Sequence, residues 1–179
     1  IDFISYNNSS AIGIRLEDVK SNPHETLSAF CEVMGVQPHE SLYKMTAQGE
    51  KWWGDSASRD YKTDGMNPFG KTSISRKVGS IFSEHDQFIL RTLFYPFRVR
   101  FGYQEKNQKQ FLLDLKDIRP MLDEVFDFER IVHNQLGEGS EKFGKLLASR
   151  KFKIKLIERW QVLNQHQTYP DMIRPMTIN

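Results

Sequence analysis

Cysteine is nearly absent from this chain, since Cys31 is the only one in 179 residues. A single thiol excludes an intramolecular disulfide framework, disfavours a cysteine-based zinc site and favours a reducing compartment, here the cytoplasm. Long apolar runs are also missing, because no stretch approaches the roughly 18 residues that a membrane span needs. The formal net charge is only +2, which gives no strong signal for nucleic-acid binding. We therefore expect neither a membrane span nor a nucleic-acid partner.

The sequence does contain enough apolar material for a packed core, with 39% apolar residues and thirteen Phe. Its length fits one ordinary domain, or a small domain with an appendage. The printed sequence starts without Met, on an Ile-Asp-Phe-Ile stretch typical of the interior of an element. We therefore expect a fragment of a larger protein.

Two elements are predicted near the start of the chain. Alternating apolar residues over Ala11–Glu17 predict a half-buried strand. Asn22 as cap, followed by proline, predicts a helix over Pro23–Met34, and Gly35 suits its left-handed C-terminal cap. The residues expected on the apolar face of this helix are Leu27, Phe30, Cys31 and Met34.

The periodicity fades from 41 to 75, which predicts a long loop. Ser83, placed three residues before an aspartate, predicts the start of a second helix, which Pro96 should kink. After Tyr103 the sequence becomes polar and helical. We expect helices over 111–118, from Pro120 to about 137 and over 140–165, the last of them strongly basic.

Four stretches resemble the C-terminal region of the sulfotransferases that use 3′-phosphoadenosine 5′-phosphosulfate, a family of the P-loop nucleotide-binding superfamily. The family's Arg-Tyr-Glu-Asp-Leu strand end is similar to Ile-Arg-Leu-Glu-Asp-Val at 14–19, and the helix that follows it is similar to residues 22–36. The family's basic turn resembles Ser-Arg-Lys-Val-Gly-Ser-Ile and the five residues after it, at 75–86. Its closing Gly-Tyr resembles Phe-Gly-Tyr at 101–103.

The resemblance implies a site for the 3′-phosphate of the nucleotide donor. It makes Arg76 and Lys77 the charge partners of this phosphate, with backbone amides near Val78 and Gly79 as further donors. The sequence itself supports an anion site, because no acidic residue lies between Gly70 and Phe82. The cofactor-binding residues expected in this turn are Lys71, Ser75, Arg76, Lys77, Val78 and Gly79.

The family's N-terminal phosphosulfate loop has no counterpart in this sequence, and neither has a catalytic base. The implied fold is mainly α with one or two short strands: a sulfotransferase-like C-terminal segment of an α/β fold over 1–103, and a helical extension over 104–179. The implied partners are the missing N-terminal part of the same enzyme and an acceptor, either a small molecule or a glycan. The chain alone is then expected to be inactive. The alternative is a non-catalytic helical module that binds another protein.

Three other patterns favour structural interpretations. Residues 65–72 match the G-x-x-x-x-G-K-[ST] pattern, but no buried strand leads into them and no helix follows. The five histidines lack the i, i+4 spacing of a helical metal pair, so we expect no metal site. Trp52 and Trp53 fit a lid over a core edge better than the lining of an acceptor pocket.

Overall fold

The structure is a computed structural model, and the part of the chain that it describes is mainly helical, as predicted. The described residues divide into two compact units. The N-terminal unit contains residues 11–44, 46–47, 50–51, 57, 69 and 173–177, and the helical unit contains residues 82–134, 140–170 and 172.

The N-terminal unit opens with a very short strand, β1 (Ile12–Gly13), which pairs in parallel with β4 (Arg174–Pro175). The strand predicted over 11–17 is wrong beyond Gly13, because helix α1 begins at Leu16 and ends at Ser21. Two acidic residues in the first turn stabilise this helix start, where the backbone amides carry partial positive charge. Leu16 is 61% exposed, so its place in the apolar alternation was coincidental.

Helix α2 spans Pro23–Met34, so its predicted bounds are confirmed. Gly35 adopts a φ of 67°, the left-handed conformation expected of the cap. Asn22 occupies the cap position but makes no side-chain capping bond, and its backbone N–H donates to the Asp18 carbonyl in α1. Cys31 is buried as predicted, whereas Met34 is 60% exposed.

Short elements occupy the start of the segment predicted as a loop. They are a 3₁₀ helix over Glu40–Tyr43 and an antiparallel pair of two-residue strands, β2 (Thr46–Ala47) and β3 (Glu50–Lys51). His39 caps the 3₁₀ helix by accepting the Ser41 N–H at 3.2 Å. Trp52 and Trp53 lie outside the described residues.

The described part of the helical unit contains five α-helices. Ser83 caps the first of them, as predicted, because its hydroxyl oxygen accepts the Asp86 N–H at 3.1 Å. The predicted kink at Pro96 is instead a break: one helix ends at Leu93 and the next begins at Tyr95, so that the proline lies in a first turn, where it needs no donor. The helices are α3 (Glu84–Leu93), α4 (Tyr95–Arg100), α5 (Gln108–Met121), α6 (Asp127–Asn134) and α7 (Ser140–His166).

The prediction that a helix starts at Pro120 is wrong. Proline lies in the last turn of α5, and α6 begins only at Asp127. The start of α6 is capped by a residue of another helix. The buried Asp86 carboxylate of α3 accepts the N–H groups of Asp127 and Phe128 at 3.0 and 2.9 Å. A carboxylate at this position satisfies two otherwise unpaired donors and faces the positive end of the helix dipole.

The core of the helical unit forms where α3, α5 and α7 pack together. Tyr95 and Phe111 stack at its edge with 4.3 Å between ring centroids, and the Trp160 indole N–H of α7 donates to the Leu115 carbonyl of α5 at 2.7 Å. None of the described helices, the 27-residue α7 included, is long and apolar enough to cross a membrane. The buried side chains are Ile89, Leu93, Tyr95, Phe111, Leu115, Ile118, Leu122, Phe126, Leu156 and Leu163.

This core joins residues from both sides of position 103, since α3 packs against α5 and α7. The predicted boundary between a 1–103 segment and a 104–179 extension follows from the family resemblance alone, and it stays a prediction.

Replacement of Asp86 tests the cap between α3 and α6. We expect Asp86→Ala to lower the free energy of unfolding by about 2–4 kcal/mol, because it leaves two amide donors without their acceptor in a buried setting. Urea unfolding followed by circular dichroism measures the change. Asp117→Ala removes the same group from an exposed position on α5 and should shift stability by no more than about 0.5 kcal/mol. Equal effects of the two substitutions would contradict the assignment.

Candidate functional site

The cofactor site predicted from the sequence cannot be located among the described residues. All six of its members lie outside them, as does the G-x-x-x-x-G-K-[ST] match at 65–72, apart from Phe69. The assignment therefore stays a prediction. The six residues are Lys71, Ser75, Arg76, Lys77, Val78 and Gly79.

The resembling stretches at 14–19, 22–36 and 101–103 lie within the described residues, and several of their residues end or begin helices. Gly102 adopts a φ of 69°, while the N–H groups of Gly102 and Tyr103 donate to the carbonyls of Val99 and Arg98 at 3.1 and 2.8 Å. This is the double cap that typically closes a helix with glycine in the left-handed region. The Gly-Tyr of the resemblance is therefore the C-terminal cap of α4.

A partly buried polar cluster surrounds the start of α6. The Ser83 hydroxyl donates to Asp127 Oδ2 at 2.6 Å, while Glu129 Oε2 accepts the Phe126 N–H at 3.1 Å and its other oxygen accepts the Ser149 hydroxyl of α7. These carboxylates are occupied by hydrogen bonds that hold α3, α6 and α7 together. Nucleophilic or acid-base chemistry needs groups that face a cavity, so we interpret this cluster as structural.

In the described part of the chain, histidine, cysteine and carboxylate side chains do not gather into any group of three able to hold a metal. His24 stacks on Tyr43 with 4.2 Å between ring centroids, and His39 caps the 3₁₀ helix. Both imidazoles thus have structural contacts.

A cavity of about 330 Å³ lies beside α3, α4 and α5, and it is lined by described residues. Phe88, Arg91, Thr92 and Tyr95 reach it because their i, i+3, i+4, i+7 spacing places them on one side of the chain through α3 and into α4. Its volume suits a small molecule. The remaining lining residues are Arg98, Gln104, Phe111 and Asp114.

Two arginines give this pocket its electrostatic character. Arg91 is exposed and donates through Nε to the Gln87 carbonyl at 3.2 Å, whereas Arg98 is half-buried. Burial and, to a smaller extent, the nearby Arg91 guanidinium lower the pKa of Arg98 from its ordinary value. The guanidinium still carries its charge at neutral pH. The pocket therefore holds two cations that repel each other.

The other polar side chains of the pocket are mostly occupied. Tyr95 Oη accepts the Asn107 N–H at 2.6 Å, and the Thr92 hydroxyl donates to the Phe88 carbonyl at 2.9 Å. Asp114 Oδ1 accepts from the Gln110 amide at 2.7 Å. The groups left to bind a ligand are therefore mainly the positively charged N–H donors of the two arginines.

Sequence reasoning missed this pocket. The signal was present, since Arg91 lies between aromatic residues at helical spacing and Arg98 follows seven residues later. The break at Phe94 and the closure by α5, however, are tertiary features that local periodicity does not reveal.

No protein-family model, curated protein or solved structure matches this chain. Any functional assignment therefore rests on the residues of this chain and their geometry.

Replacement of Arg98 tests the repulsion inside the pocket. We expect Arg98→Gln to raise the free energy of unfolding in dilute chloride buffer, and the gain to shrink as sodium chloride screens the charges. Urea unfolding at low and high salt measures both effects. Arg100→Gln removes an exposed charge from the same short helix, outside the pocket lining, and should change stability less. A loss of stability in Arg98→Gln at low salt would contradict the repulsion.

Proposed function

We propose that this chain is the C-terminal part of a sulfotransferase. The complete enzyme would move a sulfuryl group from 3′-phosphoadenosine 5′-phosphosulfate to an acceptor hydroxyl or amine, and this part would contribute the turn that contacts the 3′-phosphate. The single observation that carries the proposal is the order and spacing of the four resembling stretches, at 14–19, 22–36, 75–86 and 101–103.

The residues at the helix ends within the resembling stretches support this proposal. Proline at 23 opens α2 and Gly35 closes it, Ser83 opens α3, and Gly102 closes α4. The small and capping residues of the resembling stretches thus have stereochemical roles at helix ends, as residues of a shared fold would. The basic turn between α2 and α3 is then the segment left for ligand contact.

The charge of the turn supports the same proposal. Three basic residues and no acidic residue occur between Gly70 and Phe82, and serines and threonines lie among them. A phosphate monoester dianion is best bound by such clustered cations and hydroxyl or amide donors. Sulfuryl transfer also needs cations at the phosphosulfate end, to position the donor and stabilise the bridging oxygen. That end, and the catalytic base, would come from the N-terminal part.

A second candidate is a helical module that binds another protein without catalysis. The observation that favours it is the presence of half-exposed apolar side chains on the last two helices. Ile131 is 50%, Leu147 45% and Ile154 46% exposed. Apolar positions of this kind are also common on monomer surfaces, so they carry less weight than the ordered resemblance.

The double substitution Arg76→Ala with Lys77→Ala tests the turn in the complete protein. We expect the Kd for adenosine 3′,5′-bisphosphate to rise at least about tenfold, because two charge-assisted contacts to the 3′-phosphate are removed. Isothermal titration calorimetry measures the affinity. Arg100→Ala with Lys116→Ala removes the same two charges from exposed helix positions and should leave the affinity nearly unchanged. An unaltered Kd in the first variant would remove the assignment.

The chain by itself provides a second test. We expect it to transfer no label from ³⁵S-labelled donor to phenol, amine or sugar acceptors, since its sequence has no phosphosulfate loop. Addition of the N-terminal part should restore transfer. Turnover by the chain alone would show that the division of roles proposed here is wrong.

A further inference from the structure

We propose that the pocket lined by Arg91 and Arg98 binds a small tetrahedral oxyanion, phosphate or sulfate, either free or as the terminal group of a monoester. This inference goes beyond the sulfotransferase proposal, because the pocket lies within the helical unit and uses no residue of the 71–79 turn.

The first argument is the availability of donors. The Arg98 side chain has no hydrogen bond or ion pair with any residue in the described ranges, and the Arg91 side chain uses only Nε, on the Gln87 carbonyl. That bond fixes the Arg91 side chain and leaves both Nη groups for a ligand. Gln104 adds an amide that has no partner among the described residues. Planar guanidinium groups match the oxygen edges of phosphate and sulfate with two parallel hydrogen bonds.

The second argument is the balance of charge in the pocket. Two arginines are opposed by one carboxylate, Asp114, which lies more than 4.0 Å from the nitrogen atoms of either arginine and accepts instead from Gln110. An anion between the guanidinium groups would replace their repulsion by attraction to both. A cation or a neutral ligand would leave the repulsion in place.

The third argument is the wall of the pocket. Phe88 and the stacked rings of Tyr95 and Phe111 line one side, and Tyr95 is held at its hydroxyl by the Asn107 N–H. A rigid apolar wall lowers the local dielectric and strengthens the ionic contacts beside it. Tyr95 and Phe111 are almost fully buried, so the partly buried Phe88 is the aromatic wall residue left to contact the organic part of a monoester. The volume of about 330 Å³ fits such a ligand and excludes a folded macromolecule.

Calorimetric titration of the full chain with sodium phosphate and sodium sulfate, against sodium chloride of equal ionic strength, tests the site. We expect saturable binding of both oxyanions, weakened at least about tenfold by Arg98→Gln and by Arg91→Gln, since each removes a charged donor. The matched variant Arg100→Gln should change the Kd by less than about twofold, because this exposed charge lies outside the pocket lining and is screened. Unfolding temperatures in chloride check that each variant folds.

Asp114→Asn adds a test in which anion binding should become stronger instead of weaker. Sulfate carries no proton at neutral pH and can only be repelled by a carboxylate, so we expect this variant to bind sulfate about threefold more tightly. Weaker binding would show that Asp114 accepts a hydrogen bond from the ligand, which overturns the oxyanion assignment. Absence of saturable binding at millimolar anion, or an equal loss in all three arginine variants, would overturn it too.

Phenyl phosphate separates the two sources of the oxyanion. If phenyl phosphate has a lower Kd than inorganic phosphate, the pocket binds an organic monoester packed on the aromatic wall. If the two Kd values are equal, the pocket binds the free ion. The double substitution at Arg76 and Lys77 should leave both affinities unchanged. Failure of this site and failure of the nucleotide turn are therefore distinguishable.

Discussion

The helical unit depends on one buried carboxylate. Asp86 comes from the first turn of α3, yet its two oxygens accept the first amides of α6, a helix that starts forty residues later. Glu129 supplies the other half of this cap, because it reaches back from the third position of α6 to the Phe126 N–H. In an ordinary capping box the side-chain oxygen of the cap residue itself accepts an N–H group of the first helical turn. Here the cap residue is a phenylalanine, and an acid from another helix replaces its missing oxygen.

This arrangement links helix ends to the packing of whole helices. Ser83 caps α3 and also donates to Asp127, so the starts of α3 and α6 are held together. Lys153 of α7 donates to the carbonyls of Asp123 and Glu124 after α5, and cations are favourable near such a C-terminal end. The same polar contacts that satisfy helix ends thus fix α3, α6 and α7 around the apolar core. The wall of the arginine pocket is built on two of the elements that this core positions, α3 and α5.

Local sequence signals predicted the elements whose limits are set locally. The bounds of α2, the Ser83 cap and the position of α7 follow from caps, proline and periodicity within a few residues. The errors fall where distant contacts decide. Pro120 suited a helix start, but the apolar face from Phe111 to Leu122 carries α5 past it, and the start of α6 depends on the distant Asp86. The alternation after Ala11 likewise predicted a strand, but a helix begins at Leu16 with acidic residues at 17 and 18 in its first turn. The nucleotide turn was predicted from a resemblance, whereas the arginine pocket requires knowledge of how α5 closes over α3.

The two proposed anion sites differ in the energetic penalty of keeping their cations unpaired. The basic turn is a feature of sequence, and clustered cations in a loop can remain solvated at little energetic penalty. Arg98, by contrast, is half-buried beside a second guanidinium and has no ion pair among the described residues, in a protein unit whose other buried polar groups at the α3, α6 and α7 junction are satisfied. The burial of Arg98 without a partner of opposite charge has an energetic penalty, which the lowered pKa of its guanidinium reflects. Marginal stability makes such a penalty hard to retain without a compensating contact. An anion supplies that contact, so we interpret Arg91 and Arg98 as a binding feature of the pocket.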